Sequence, residues 1–226
     1  MNFLPFLFIF FLLYVVILGF LFFIVQIGVI GYAFEAVGIP MEAIFFLLFL
    51  SLVGSAVNIP VKRISSDVAV STGSEVRFMG WRFRIPGMAR ANETLIAVNV
   101  GGAVIPVLLS LYLLLSNPAI LLPALIATTI LTVAVNRMAR QIQGVGIGVP
   151  LFIPPIIAAL AAVILTNTYE PVVAYISGTL GTLIGADLLN LKKIAQSGAP
   201  VASIGGAGTF DGIFLTGIIA VLLASL

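Results

Sequence analysis

The segments PVVAYISGTLGTLIGADLLNLKKI, residues 171–194, and GGAGTFDGIFLTGIIAVLLASL, residues 205–226, each carry one carboxylate inside an apolar run. The two acids are Asp187 and Asp211. An Asp near the centre of a membrane-inserted helix costs roughly 2.5 to 3.5 kcal/mol, so an acid at such a position marks a functional site by default. These two segments are therefore the starting point for both the fold and the function.

The spacing of the two acids places them at the same depth. If the two segments form antiparallel helices that turn near Ala199, Asp187 lies six residues before Lys193, and Asp211 lies six residues after Gly205. At a helical rise of 1.5 Å per residue, both carboxylates are roughly 9 Å from the same membrane face. The sequence therefore predicts that the acids on this Asp-bearing helix pair, residues 171–226, can meet.

The composition of the chain is that of an integral membrane protein. Hydrophobic residues make up 62% of the 226 residues and charged residues only 8%, and the mean hydropathy is +1.28. Because one span takes about 20 residues, the chain has room for about seven helices and for no large soluble domain. We expect an all-α polytopic fold in a single integral membrane domain, residues 1–226.

The same composition argues against several classes of ligand. The chain has no cysteine and no histidine, so the usual thiolate and imidazole ligands of transition metals are missing, and we predict no metal and no cofactor. The formal net charge is only +2, so we predict no nucleic-acid partner. Oligomeric state is left open.

Apolar runs predict where the spans lie. We expect seven transmembrane helices at residues 3–32, 41–57, 94–115, 118–135, 149–166, 171–194 and 205–226. Residues 61–93 form the one long polar insertion, in which alternating runs at 61–70 and 75–85 flank a turn at 71–74 and predict a β-hairpin. Aromatic and arginine side chains interleave in its second run and suit lipid headgroups, so membrane lipids are the predicted partner.

The positions of the basic residues predict the orientation in the membrane. All ten fall in alternate loops, between helices 2 and 3, 4 and 5, and 6 and 7. The opposite loops carry only acids, namely Glu35, Glu42 and Glu170. By the positive-inside rule, a multi-pass protein of the cell membrane has its N-terminus and residues 61–93 in the cytoplasm and its C-terminus outside.

Small and polar residues complete the predicted site. Gly208 and Gly212 flank Asp211, and Gly208 lies on nearly the same helical face, so a partner helix or a substrate can approach the acid there. Asn99 can hydrogen-bond to a substrate backbone, although Asn residues at membrane depth more often bond between helices. Gly208, Gly212 and Asn99 are the candidate substrate-binding residues. A second glycine stripe, Gly178, Gly181 and Gly185, points away from Asp187 and is expected to pack against another helix.

Two neighbouring carboxylates in a low-dielectric site share a proton and titrate as a pair. In aspartic proteases one such acid activates water while the other protonates the carbonyl oxygen or the leaving amine. The same pair can instead bind a proton or a cation in a transporter or channel. A third possibility is a structural acid in a membrane scaffold without enzymatic activity.

The residues around the acids resemble the GxGD-type intramembrane aspartyl proteases, the presenilin and signal peptide peptidase group. The first acid of that family lies in Tyr-Asp and the second in Gly-x-Gly-Asp. Here the first lies in Ala186-Asp187 and the second in Gly208-Thr209-Phe210-Asp211-Gly212, with glycine three residues before the acid. The resemblance implies catalytic roles for Asp187 and Asp211 and a transmembrane peptide substrate. The chain as a whole also looks like a prokaryotic family of small membrane proteins of unknown function.

Overall fold

The computed structural model describes residues 4–65, 75–78, 81–84, 93–142, 146–195, 201–206 and 212–226. Most of these residues are helical. The α-helices are α1 (Leu4–Ala36), α2 (Met41–Ser55), α3 (Ile105–Ser116), α4 (Leu121–Met138), α5 (Ile153–Leu165), α6 (Glu170–Thr182), α7 (Leu191–Ala195) and α8 (Gly212–Ala224). The strands are β1 (Asn58–Ser65), β2 (Glu75–Phe78), β3 (Trp81–Arg84), β4 (Glu93–Asn99), β5 (Arg140–Ile142), β6 (Gly146–Gly148) and β7 (Val201–Ile204).

Helix α6 lies at the centre of the bundle, in contact with α3, α4, α5 and α8. Its small residues let the neighbouring backbones approach closely, which is how helices associate in lipid. A Cβ at Gly178 would lie 3.2 Å from the Cα of Gly217 in α8, and one at Gly181 would lie 2.8 Å from the Cβ of Leu131 in α4. Gly185 likewise packs against α4. The glycine stripe was expected to pack against a helix outside the Asp-bearing pair. This prediction is confirmed for Gly181 and Gly185, which face α4, whereas Gly178 faces α8.

A three-stranded sheet, in the order β1-β4-β7, covers one end of the bundle. The central strand β4 runs antiparallel to β1, with Asn99 opposite Asn58, and parallel to β7, with Val98 opposite Ile204. The expected helix at residues 94–115 is therefore wrong in its first part. Residues 93–99 form a strand, and a π-helical turn, Val100–Val104, leads from it into α3.

Glycine pairs follow both parallel strands. Gly101-Gly102 follows β4, and Gly205-Gly206 follows β7 with φ values of 85° at both glycines. A Cβ at Gly102 would overlap the carbonyl oxygen of Gly205, and a Cβ at Gly205 would lie 2.6 Å from the Cβ of Ala103. The two turns thus pack backbone against backbone, which side chains would prevent.

The final helix begins later than the sequence predicted. The expected span at 205–226 starts with a turn at Gly205-Gly206 instead of a helix, and its described helical part, α8, is Gly212–Ala224. The helical rise used to place Asp211 six residues inside a helix therefore does not apply. Asp211 itself lies outside the described residues.

The polar insertion also pairs differently from the predicted hairpin. Within the described part of the insertion, β1 pairs with β4 and β2 pairs with β3. The predicted turn at 71–74 lies outside the described residues. A further antiparallel pair, β5 and β6, joins α4 to α5 and was not predicted.

Three described helices are long and apolar enough to cross a membrane, namely Phe11–Ala36, Pro118–Met138 and Glu170–Ile194. Each of the seven predicted segments contains a helix. Four of these helices, Glu42–Ser55, Val100–Ser116, Ile153–Leu165 and Gly212–Ala224, are shorter than a full span. In the third segment residues 94–99 belong to strand β4, and the last segment opens with the turn at Gly205-Gly206.

Candidate functional site

Asp187 is half-buried and ends a π-helical turn, Leu183–Asp187, that interrupts the central helix. A π-turn shifts the register of a helix and leaves carbonyl groups without their usual partners, and such turns occur often at functional sites. Here two asparagine amides supply partners. The Nδ2 of Asn190 donates to the carbonyl oxygens of Gly185 and Ala186 at 2.8 and 3.1 Å, and the Nδ2 of Asn136 donates to Gly185 at 3.2 Å.

The carboxylate of Asp187 contacts the glycine turn that follows β7. The backbone N–H of Gly205 donates to Oδ2 of Asp187 at 2.9 Å. This bond joins the end of the central helix to the start of the segment that leads to Asp211. The segment is therefore held beside the acid at its first residue.

Helices α6 and α8 run antiparallel. The beginning of α6 and the end of α8 line one cavity, with Glu170 and Ser225 in its wall, and near the sheet Leu183 and Ile213 belong to one buried cluster. The close approach of Gly178 to Gly217 fixes the register. Gly212, five residues before Gly217, is therefore level with residue 183.

This register places the start of α8 near Asp187. At 1.5 Å per residue, Gly212 is roughly 6 Å from Asp187 along the helix axis. Asp211 directly precedes Gly212 in the chain. The structure thus brings Asp187 and Gly212 to one region, whereas Asp211 and Gly208 lie outside the described residues. Among the described residues, no heavy atom would lie within 4 Å of a Cβ at Gly212, so none of them fills the space beside this glycine.

Asn99 lies at the end of the central strand and is fully buried. Its Nδ2 donates to the carbonyl oxygen of Ser55 at 2.7 Å and to Oδ1 of Asn58 at 3.2 Å, and its Oδ1 accepts from the N–H of Gly102 at 2.7 Å. These contacts are all within the protein and hold the first glycine turn. The substrate-binding role of Asn99 stays a prediction. Its visible effect on the site is indirect, because Gly102 packs against Gly205.

Sequence reasoning missed Gly205 and Asn190 as residues that shape the site. Asn136 is a polar residue near membrane depth in the sequence, and such residues more often bond between helices than to a substrate; its hydrogen bond to Gly185 joins two helical segments in this way. One signal could have found the turn: the same pattern, a β-branched residue followed by Gly-Gly-Ala, occurs at 100–103 and at 204–207. A repeated Gly-Gly pair after a short apolar run indicates two strand–turn–helix units. Asn190 gave no comparable signal, since its role depends on the π-turn.

The electrostatics of the site come from acids and backbone dipoles. In the part of the chain that the structure describes, no three His, Cys, Asp or Glu residues are grouped as a metal site would require. Basic residues surround the sheet instead. Lys62 and Arg63 lie in β1, and Lys193 lies in α7. The backbone carbonyl oxygen of Lys193 accepts a hydrogen bond from Nε2 of Gln141 at 2.9 Å.

Comparison with known proteins gives one match. A family model described as a protein of unknown function, DUF1614, matches residues 52–223, which is 172 of the 226 residues. No curated protein and no solved structure matches significantly. The matched range contains every strand, the central helix with Asp187, and most of α8. The chain belongs to the DUF1614 family.

Proposed function

We propose that this protein is an intramembrane di-aspartyl protease in which Asp187 and Asp211 act together on transmembrane peptide segments. The observation that carries the proposal is the hydrogen bond from Gly205 to Asp187. It holds Gly205, the first residue of segment 205–211, against Asp187. The described part of α8 begins at Gly212, one residue after Asp211. Both ends of the segment that carries Asp211 are thereby kept close to Asp187.

The roles of the two acids follow from their surroundings. Asp187 already accepts a backbone N–H, so we assign to it the ionised role, which removes a proton from the attacking water. Asp211 then supplies its proton to the carbonyl oxygen of the substrate. When the tetrahedral intermediate collapses, Asp187 passes the proton it took from water to the leaving amine, and Asp211 takes a proton back from the hydroxyl group. Gly208 and Gly212 give the peptide backbone room to approach, because glycine presents no side chain.

We further infer a seven-pass arrangement in the cell membrane with the sheet end in the cytoplasm. Three observations support it. Seven apolar helical segments follow one another along the chain. Connections near Gly38, Asn117 and Thr168 line one cavity together with Ser225, whereas α7 contacts both β4 and β6 at the opposite end. Basic residues belong to the sheet end, which is the cytoplasmic side by the positive-inside rule. Residues 61–93 would lie there against anionic lipid headgroups.

A structural role for Asp187 is favoured by the same hydrogen bond. In this alternative, Asp187 accepts the backbone N–H of Gly205 solely to fix the turn after β7. The protein would then be a membrane scaffold. Stability separates the two roles. Loss of an essential structural acceptor costs about 1 to 3 kcal/mol, whereas removal of one of two mutually repelling carboxylates costs little.

The test uses four forms of the full chain: wild type, Asp187→Asn, Asp211→Asn and the control Glu35→Gln. Each is reconstituted in liposomes with detergent-solubilised total membrane protein, and new peptide termini inside apolar segments are identified by mass spectrometry. We expect such termini with wild type and the control and with neither Asn variant, while thermal unfolding of all four forms stays similar.

Other outcomes assign the acids differently. Cleavage that persists in both Asn variants contradicts the protease. If both variants unfold at markedly lower temperature, the acids are structural. If wild type cuts nothing but conducts protons or cations in liposomes, and stable Asn variants do not, the acids serve a transporter or channel.

A further inference from the structure

A cavity opens at the end of the bundle away from the sheet, and its wall combines tyrosines with a carboxylate. Its volume is about 680 Å³, within the range of small-molecule sites. Tyr32 of α1, Tyr112 of α3, and Tyr169 and Glu170 at the start of α6 line it. Ala224, the last residue of α8, and the following Ser225 complete the wall. Four helices therefore converge on one open, partly aromatic site, which takes no part in the proposed dyad.

The charge at this end of the molecule is negative. Glu35 lies in the last turn of α1, Glu42 in the first turn of α2 and Glu170 in the first turn of α6. The described residues that line the cavity include no lysine and no arginine. A cleft lined by one sign of charge concentrates the opposite sign. This cavity therefore suits a cation and disfavours an anion.

The tyrosines indicate which kind of cation. Tyr32 and Tyr112 are 53% and 56% exposed, so their rings are not used up by core packing. Aromatic rings attract ammonium groups through their negative faces, and sets of aromatic side chains with an acid are how proteins recognise alkylated ammonium ions. Tyrosines also anchor helices at membrane interfaces. That role alone does not require three of them to line one cavity with a carboxylate.

We propose that this cavity binds an organic ammonium group. Glu170 supplies the counter-charge, and Tyr32, Tyr112 and Tyr169 supply aromatic surface around the alkyl substituents. The ligand carries one positive charge on a substituted nitrogen. It comes either from a water-soluble amine or from the headgroup of a phospholipid. The inference is independent of the proposed protease activity.

The experiment measures binding of tetramethylammonium to the purified full chain in a nonionic detergent by calorimetric titration. We expect saturable binding by wild type. Glu170→Gln and Tyr112→Leu should each raise Kd at least about fivefold, the loss expected for one cation–π or ion-pair contact. The matched controls are Glu35→Gln and Tyr14→Leu, which change the same residue types outside the cavity, and they should leave Kd unchanged.

Two further arms identify the source of the ligand. Titrations are repeated in nanodiscs of phosphatidylcholine and in nanodiscs of phosphatidylglycerol. If phosphatidylcholine alone blocks tetramethylammonium, the site takes a lipid headgroup; if neither lipid blocks it, the site takes a soluble amine. Absence of saturable binding by wild type overturns the proposal. An equal increase of Kd in Glu35→Gln and Glu170→Gln also overturns it, because the effect would then reflect the general negative charge of this end. If Glu170→Gln does not fold, the Kd of Tyr112→Leu decides whether the cavity binds the cation, because Tyr112 lies at an exposed position.

Discussion

Gly102 is a residue at which even a single methyl group should be poorly tolerated. A Cβ there would overlap the carbonyl oxygen of Gly205, and both residues belong to backbone turns that cannot move aside as a flexible side chain can. We expect Gly102→Ala to lower the free energy of unfolding by about 1 to 3 kcal/mol, the usual cost of overpacking. Gly28→Ala is the matched control, because a Cβ at Gly28 meets no atom of the described residues within 4 Å. Denaturant unfolding in detergent measures both, and an equal effect of the two substitutions would contradict the packing of the turns.

Asn99 carries the second prediction at this scale. Truncation to Ala removes the acceptor of the Gly102 N–H and the donor to the Ser55 carbonyl in a fully buried position. An unsatisfied buried polar group costs about 1 to 3 kcal/mol, so Asn99→Ala should destabilise by at least that amount. Asn117→Ala, which loses a donor to a carbonyl one helical turn earlier, should cost less. If the two variants unfold alike, Asn99 does not hold the turn.

At the scale of elements, the least expected feature is that β4 is a strand inside an apolar segment. We predict that a ¹³C-labelled carbonyl at Ala97 absorbs in the infrared at a strand position, because Ala97 pairs with Ser203 in the parallel register. A label at Ala127, a buried alanine of α4, is the control and should absorb at a helix position. An absorption at a helix position from Ala97 would instead support a helix at residues 94–115 and would contradict the three-stranded sheet.

The helices and the extended run that contains part of β1 could be predicted, whereas strands β4 and β7 could not, for a physical reason. Long apolar runs exceed any strand length, so the segments containing α1, α4 and α6 were identified from length alone. A short buried strand such as β4 has no alternation and looks like the start of the helix that follows it. Asp187 was found because a charge in an apolar run is costly. Its contact with Gly205 was not, because that bond depends on a turn and on a strand pairing distant in the sequence.

At the scale of the whole molecule, the connections divide between two ends. We predict that Thr168→Cys and Ser225→Cys react with a membrane-impermeant maleimide added outside intact cells, while Lys62→Cys and Lys192→Cys react only after permeabilisation. The chain has no cysteine of its own, so each label reports one position. Labelling of Lys192→Cys from outside would reverse the orientation derived from the positive-inside rule.

The central claim, that the two acids meet, is tested most directly by a cross-link between their positions. Asp187→Cys and Asp211→Cys are combined in the full chain, the membranes are oxidised, and trypsin cuts the chain at Lys192 and Lys193 between the two thiols. A disulfide requires Cα atoms within about 7 Å. If the two acids meet, the two fragments stay joined until a reductant is added. The control pair, Asp187→Cys with Ser225→Cys, should not join. Thiols that both react with maleimide in the first pair and yet never form a disulfide would contradict it.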